Sequence, residues 1–145
     1  MSVDNRFVTN IRTERGIIVD WIIKLLIGLA IVGVIGFDAA SILVNSFTLD
    51  SGADDIAISV STGITGGNKN QFTDLEIYDL AVTALQDPDN GVSNAKVVKE
   101  GTGIDPQTGE VTVKLRRTAS TVIVKHIGAI KHWAVSTAES SSTTQ

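Results

Sequence analysis

The chain has 145 residues, 43% of them hydrophobic but only 5% aromatic, and a formal net charge of −4. That length holds one small domain beside a membrane segment, and the acid excess argues against nucleic acid, which needs a basic face to displace phosphate counterions. The absence of cysteine removes disulfide frameworks, thiolate metal sites and cysteine nucleophiles together.

The first 16 residues carry Arg6, Arg12 and Arg15 and read as a cytoplasmic leader. From Ile17 to Val44 the chain runs IIVDWIIKLLIGLAIVGVIGFDAASILV. At about 1.5 Å per residue this is roughly 42 Å of helix, more than a hydrocarbon core of about 30 Å requires. It is too long for the apolar part of a cleaved secretory signal, and between Leu25 and Phe37 it is apolar all round. The reading is a single transmembrane helix over 17–45. Asp20 and Lys24 stand four apart with the acid first, the favoured order for a helical ion pair, and Lys24 is near enough to one end to snorkel to headgroups. Asp38, near the other end, is expected to reach the opposite interface. Gly28, Gly33 and Gly36 suit close helix–helix packing in lipid, although glycine is also simply common in membrane helices. Arginines before the helix, and no Lys or Arg after it until Lys69, place the N-terminus in the cytoplasm and the rest outside.

Beyond the membrane segment, Leu49, Ala53, Ile56, Ala57 and Val60 keep helical spacing, so the helix continues outward, with Gly52 a candidate bend and Gly63–Gly67 a loop. A second helix is expected from Gln71 to Gln86: Phe72, Leu75, Tyr78, Ala81, Val82 and Leu85 form one stripe, Asp74, Glu76 and Asp79 enrich its start with acid, and Asp87-Pro88 ends it. The period then changes to two. Ala95–Val98 reads as a short strand, EGTGIDPQTG as a hairpin loop, and Glu110–Arg117 as a strand with Val111, Val113 and Leu115 on one face. Thr121–Ile130 fits either a strand or a short helix ending at Gly128. Lys131–Ala138 alternates again, with Trp133 and Val135 on one face, and 139–145 reads as a disordered tail. The fold class is α+β, with an extracytoplasmic domain over 46–138 in which helix packs on a small antiparallel sheet.

Catalytic chemistry finds no footing. His126 and His132 lack metal-ligand spacing, no serine sits in a GxSxG elbow, and the Gly-rich EGTGIDPQTG lacks the ending of a phosphate loop. Asp87, Asp89 and Asn90 before Gly91 resemble the start of a calcium loop, but the glycine comes one position early and Val98 stands where a bidentate Glu belongs. No enzyme, cofactor or metal is expected.

Glu14-Arg15-Gly16, followed by apolar residues and then Asp20-Trp21, resembles the prepilin-type start of tight-adherence (Flp) pilus proteins. GFDAASILVNSFTLDSGADDIAISVS, with its Ala53-Asp54-Asp55 patch and Ala57, and GEVTVKLRRTASTVIVKHIGAIKHWAVSTAES are similar to the TadE/TadG-like pattern. The resemblance implies a pilin-like fold and a structural component of a Tad/Flp-type pilus or its assembly machinery. It implies cleavage between Gly16 and Ile17, with Asp20 setting helix register against a neighbour's free amine. The family's acid commonly falls at the fifth position after the glycine and is Glu; here Asp20 is the fourth. A minor pseudopilin and a TadG-like protein that stays anchored therefore both remain open. Implied partners are other pilins or pseudopilins, assembly-platform membrane proteins, the bilayer and a second copy of the chain; the implied location is the bacterial cytoplasmic membrane, single-pass. The alternative reading is a membrane-anchored extracytoplasmic binding module for calcium or cell-wall glycan.

Overall fold

The computed structural model describes residues 6–64, 71–90 and 92–143. Residues 1–5 of the expected leader, the end of the Gly63–Gly67 loop and Gly91 of the calcium-like turn lie outside the described residues. The chain divides into two units, the first ending at Phe37 and the second beginning at Asp38. A helix, α1, is assigned across Arg6–Gly63.

In the first unit nearly every large apolar side chain from Ile17 to Phe37 is exposed, which water would penalise. This run of helix is roughly 31 Å long, enough to cross a hydrocarbon core. It is the one helix among the described residues that is long and apolar enough to span a membrane. The unit boundary falls at Phe37–Asp38, inside the 17–45 segment expected from the sequence.

In the second unit the same helix becomes one-sided. Asp38, Asn45, Leu49, Gly52, Ala53, Ile56, Ala57, Val60 and Ser61 are buried along one stripe, spaced as a single helix face requires. Gly52 is not a bend. A Cβ there would fall on the Cγ2 of Val92, so the missing side chain lets the segment that follows the second helix lie against α1.

Helix α2 spans Asp74–Leu85, shorter at its start than the expected Gln71–Gln86. Thr73 caps it: its hydroxyl accepts the Glu76 N–H, while the Glu76 carboxylate accepts the Thr73 N–H at 2.8 Å, a reciprocal capping box. Ile77 and Ala81 face the core.

The sheet is built around β3, Glu110–Thr118, whose Val111, Val113 and Leu115 are fully buried as the alternation predicts. Strands β1 (Lys96–Val97) and β2 (Gly103–Ile104) pair antiparallel with the two ends of β3. Strand β4, Val135–Thr143, pairs with its whole length, so β1 and β2 share its other edge. Between them Thr102 fills the gap: its Oγ1 accepts the Lys114 N–H and donates to the Val98 carbonyl. The expected hairpin loop EGTGIDPQTG thus contains a strand, and the turn itself is 105–109, where the Asp105 carboxylate accepts the Gln107 N–H and Gly109 adopts φ 71°.

Two expectations fail at the C-terminus. Lys131–Ala134 is a 3₁₀ turn with Trp133 exposed, and the strand begins only at Val135. The stretch expected to be disordered is paired as far as Thr143. On the inner face of β4 stand Ser136, Ala138, Ser140 and Ser142, small enough to let α1 approach. Asn45 Nδ2 donates to Ser136, Ser140 donates to Asp54, and Ser61 meets Ser142. From Asn45 to Asp54 is about 13 Å of helix, and from Ser136 to Ser140 about 13 Å of strand, so the two run in step.

The core joins Leu49, Ile56 and Val60 of α1 to Ile77 of α2 and Val111, Val113 and Leu115 of β3, each large side chain contributing about 1.5–3 kcal/mol by leaving water. The α+β class holds: helices on one face of a small antiparallel sheet.

Candidate functional site

In the first unit Lys24 Nζ lies 2.7 Å from Asp20 Oδ2, both side chains being exposed. In water such a pair stabilises little; in a low-dielectric surrounding the attraction rises severalfold. Gly16, Gly28, Gly33 and Gly36 have nothing within 4 Å of the position a Cβ would take, and Ile17 is exposed. None of these residues is engaged elsewhere in the chain by a described contact except Asp20 and Lys24 with one another. The surface they define is a helix with its apolar circumference uncovered. Within the second unit Leu43, Val44 and Phe47 of α1 are also exposed.

A second set of functional side chains was not legible as such. Asp38, expected to reach the membrane interface, is 2% exposed and faces protein. Its Oδ1 accepts the Val122 N–H at 2.6 Å, and its Oδ2 accepts those of Ile123 and Val124 at 2.8 and 2.9 Å. Lys125 stands close enough to add attraction. Three converging N–H groups on one carboxylate form a strong charge-assisted clamp. The only sequence signal was position: Asp38 and Asn45 are one heptad apart at the head of the buried stripe.

The clamped segment is an excursion from the sheet, 119–134, closed at its base by the Ala119 N–H donating to the Ala134 carbonyl. It is neither the strand nor the helix that the sequence allowed for Thr121–Ile130, but a chain of tight turns with a 3₁₀ turn at Val124–His126. Its exposed residues include Val122, Ile127 and Trp133 together with Lys125 and Lys131. Between it and the outer face of the sheet lies an open cleft of about 660 Å³ lined by Lys114, Arg116, Lys125, Lys131, His132 and Thr137 among others. Lys114 is paired at 3.0 Å with Glu139, its cross-strand partner.

Among the described residues no group of three His, Cys, Asp or Glu side chains is placed to hold a metal. The Asp87 carboxylate, first of the calcium-like run, accepts the Asp89 N–H in a local turn. His126 Nδ1 is engaged with the Val122 carbonyl at 2.8 Å, and the His132 ring meets Trp133 edge-on. What the arrangement offers is surface: an uncovered apolar helix, and a cationic, apolar-tipped loop.

No family model, curated protein or solved structure matches the chain.

Proposed function

We propose that this protein is a non-catalytic structural component of a Tad/Flp-type pilus or its assembly machinery, either a minor pseudopilin or an anchored TadG-like protein. In this reading the helix 17–37 crosses the bacterial cytoplasmic membrane with its N-terminus in the cytoplasm, and the second unit projects outside. The observation that carries the proposal is the change in α1 at Asp38, from a helix exposed and apolar all round to one buried along a single stripe beneath a small sheet. An apolar circumference left uncovered needs lipid or other helices around it, and an α+β head continuous with such a helix is the plan of a pilin-like subunit. The partners are accordingly other pilins or pseudopilins and membrane proteins of the assembly platform.

Asp20 supports the filament version specifically. Once subunits pack without lipid headgroups nearby, an intramembrane acid needs a cation. Lys24 supplies one within the chain. Cleavage after Gly16 would supply a second, the α-amine of a neighbour's Ile17. N-terminal sequencing of the mature protein from native membranes decides between the versions. A mature N-terminus at Ile17 is the outcome expected of a processed pseudopilin; protein retaining Met1–Gly16 removes that version and leaves the anchored one.

A further inference from the structure

We infer that the excursion 119–134 is seated in the headgroup layer of the bilayer that residues 17–37 cross, held there by anionic lipids. The inference rests on the membrane anchorage proposed above and is independent of the filament assignment.

Three observations point to this occupant. The first is covalent position. Asp38 follows Phe37, the last residue of the first unit, and grips the backbone of Val122–Val124 directly. With residues 17–37 in hydrocarbon, the residue that grips the segment is one peptide bond beyond the last residue of that run.

The second is side-chain chemistry. Val122, Ile127 and Trp133 are 51%, 43% and 60% exposed on one short loop that also carries Lys125 and Lys131. Tryptophan with aliphatic neighbours and lysines is the composition that partitions to the membrane–water boundary, with rings at headgroup depth and ammonium groups among phosphates.

The third is charge. No Asp or Glu occurs between Glu110 and Glu139, while Lys114, Arg116, Arg117, Lys125 and Lys131 all do. In a chain of net charge −4 the loop and the outer face of β3 therefore carry Lys114, Arg116, Lys125 and Lys131, with Glu139 paired to Lys114 and Asp38 close to Lys125. Arg116, Lys125 and Lys131 line the cleft together with Lys114, which is paired with Glu139, so an anionic headgroup there would be met by Arg116, Lys125 and Lys131.

The two tryptophans, Trp21 and Trp133, make the test internal to the full-length chain. In nanodiscs of phosphatidylcholine with phosphatidylglycerol, W133F reports Trp21 alone and W21F reports Trp133 alone, each read by quenching from brominated acyl chains and from aqueous acrylamide. Both tryptophans are expected to be quenched by the bromolipid, and Trp133 to be shielded from acrylamide. Omitting the phosphatidylglycerol, or introducing Lys131→Gln with an unchanged melting curve, should weaken Trp133 quenching. One charge near an anionic surface corresponds to about a fivefold change in the seated-to-free ratio. Quenching of Trp21 without quenching of Trp133 overturns the inference and leaves the anchorage standing. So does a Trp133 shielded from acrylamide yet indifferent to bromolipid, which would mean that a second protein surface covers it. Trp133 quenching indifferent to both lipid charge and Lys131→Gln overturns the anionic-lipid assignment. If neither tryptophan is quenched, the anchorage itself fails and the inference falls with it.

Discussion

Gly52 shows how one missing side chain sets the approach of two segments. Its hydrogen faces Val92, which is almost fully buried, and a methyl group would fall on the valine's Cγ2. Val92 is β-branched and cannot swing clear cheaply, so Gly52→Ala is expected to destabilise the second unit by about 1–3 kcal/mol. Alanine is the better helix former by about 1 kcal/mol, which offsets part of that clash. The two effects separate in a double-mutant cycle followed by thermal or denaturant melts in mild detergent. In a Val92→Ala background the same Gly52→Ala change should cost much less, because the overlap with Cγ2 is gone, the remaining Cβ stands 3.1 Å away and the propensity gain remains. An equal cost in both backgrounds would show that Gly52 serves some other purpose. From the sequence alone this glycine reads as a weak point in a helix, since close approach depends on a partner forty residues away.

At the scale of elements, α2 is the one whose boundaries the residues specify locally. Thr73-Asp74-Leu75-Glu76 spells a capping box, more precise than the acid enrichment that marks the helix start in a coarser reading. Thr73→Ala should cost about 1 kcal/mol. The Thr73 backbone N–H, and then its hydroxyl, hold the Glu76 carboxyl below its ordinary value of 4.5. A carboxylate whose folded value is lowered contributes stability that is fully present above about pH 4.5 and is lost as pH falls through the lowered value. Asp105 acts in the same direction from its ordinary 3.8, chiefly through the Gln107 N–H in the β2–β3 turn. Glu76→Gln preserves an acceptor for the cap but carries no charge, so its melting temperature should lie below the parent's at pH 7 and the two should converge as pH falls below 4.5. An acid limb identical to the parent's would remove Glu76 from that role. Strand β3 was equally legible, because Val111, Val113 and Leu115 alternate with polar residues. Strand β4 was legible only over Val135–Ala138, the end of the expected 131–138 strand, because its inner face carries Ser136, Ala138, Ser140 and Ser142. Its role is to be small and to hydrogen-bond α1, so hydrophobic periodicity, the signal by which strands are found, is absent from it by construction of the interface.

For the whole molecule the consequence lies in where an independently folding part begins and ends. Hydropathy places the end of the membrane helix at about residue 45 and the start of a tail at 139, which isolates 46–138. The interactions say otherwise. Asp38 holds three backbone N–H groups of the 119–134 excursion, Ser41 donates to the Ser120 carbonyl, and Asn45 donates to Ser136. Cutting at 46 removes all of these partners at once and leaves the 119–134 excursion without the clamp that fixes it. Cutting at 138 removes the half of β4 that pairs with Glu110–Lys114 and exposes the inner face of Val111 and Val113. The fragment 38–145 retains every one of these contacts, and we expect it to melt cooperatively in mild detergent, with far-UV circular dichroism of mixed helix and strand. Detergent is needed because Leu43, Val44 and Phe47 remain exposed on the outer side of its helix. The fragment 46–138 should show no cooperative transition, since it loses the clamp at one end of the interface and the strand at the other. A cooperative melt of 46–138 at the same temperature as 38–145 would sink the argument. It would mean that α1 before Ser46 and β4 after Ala138 are ornaments on a core held by α2 and β3 alone. The helix that is long and apolar enough to span a membrane is thus also, from Asp38 onward, the spine of the second unit, and a cut that leaves that unit whole falls at the peptide bond after Phe37.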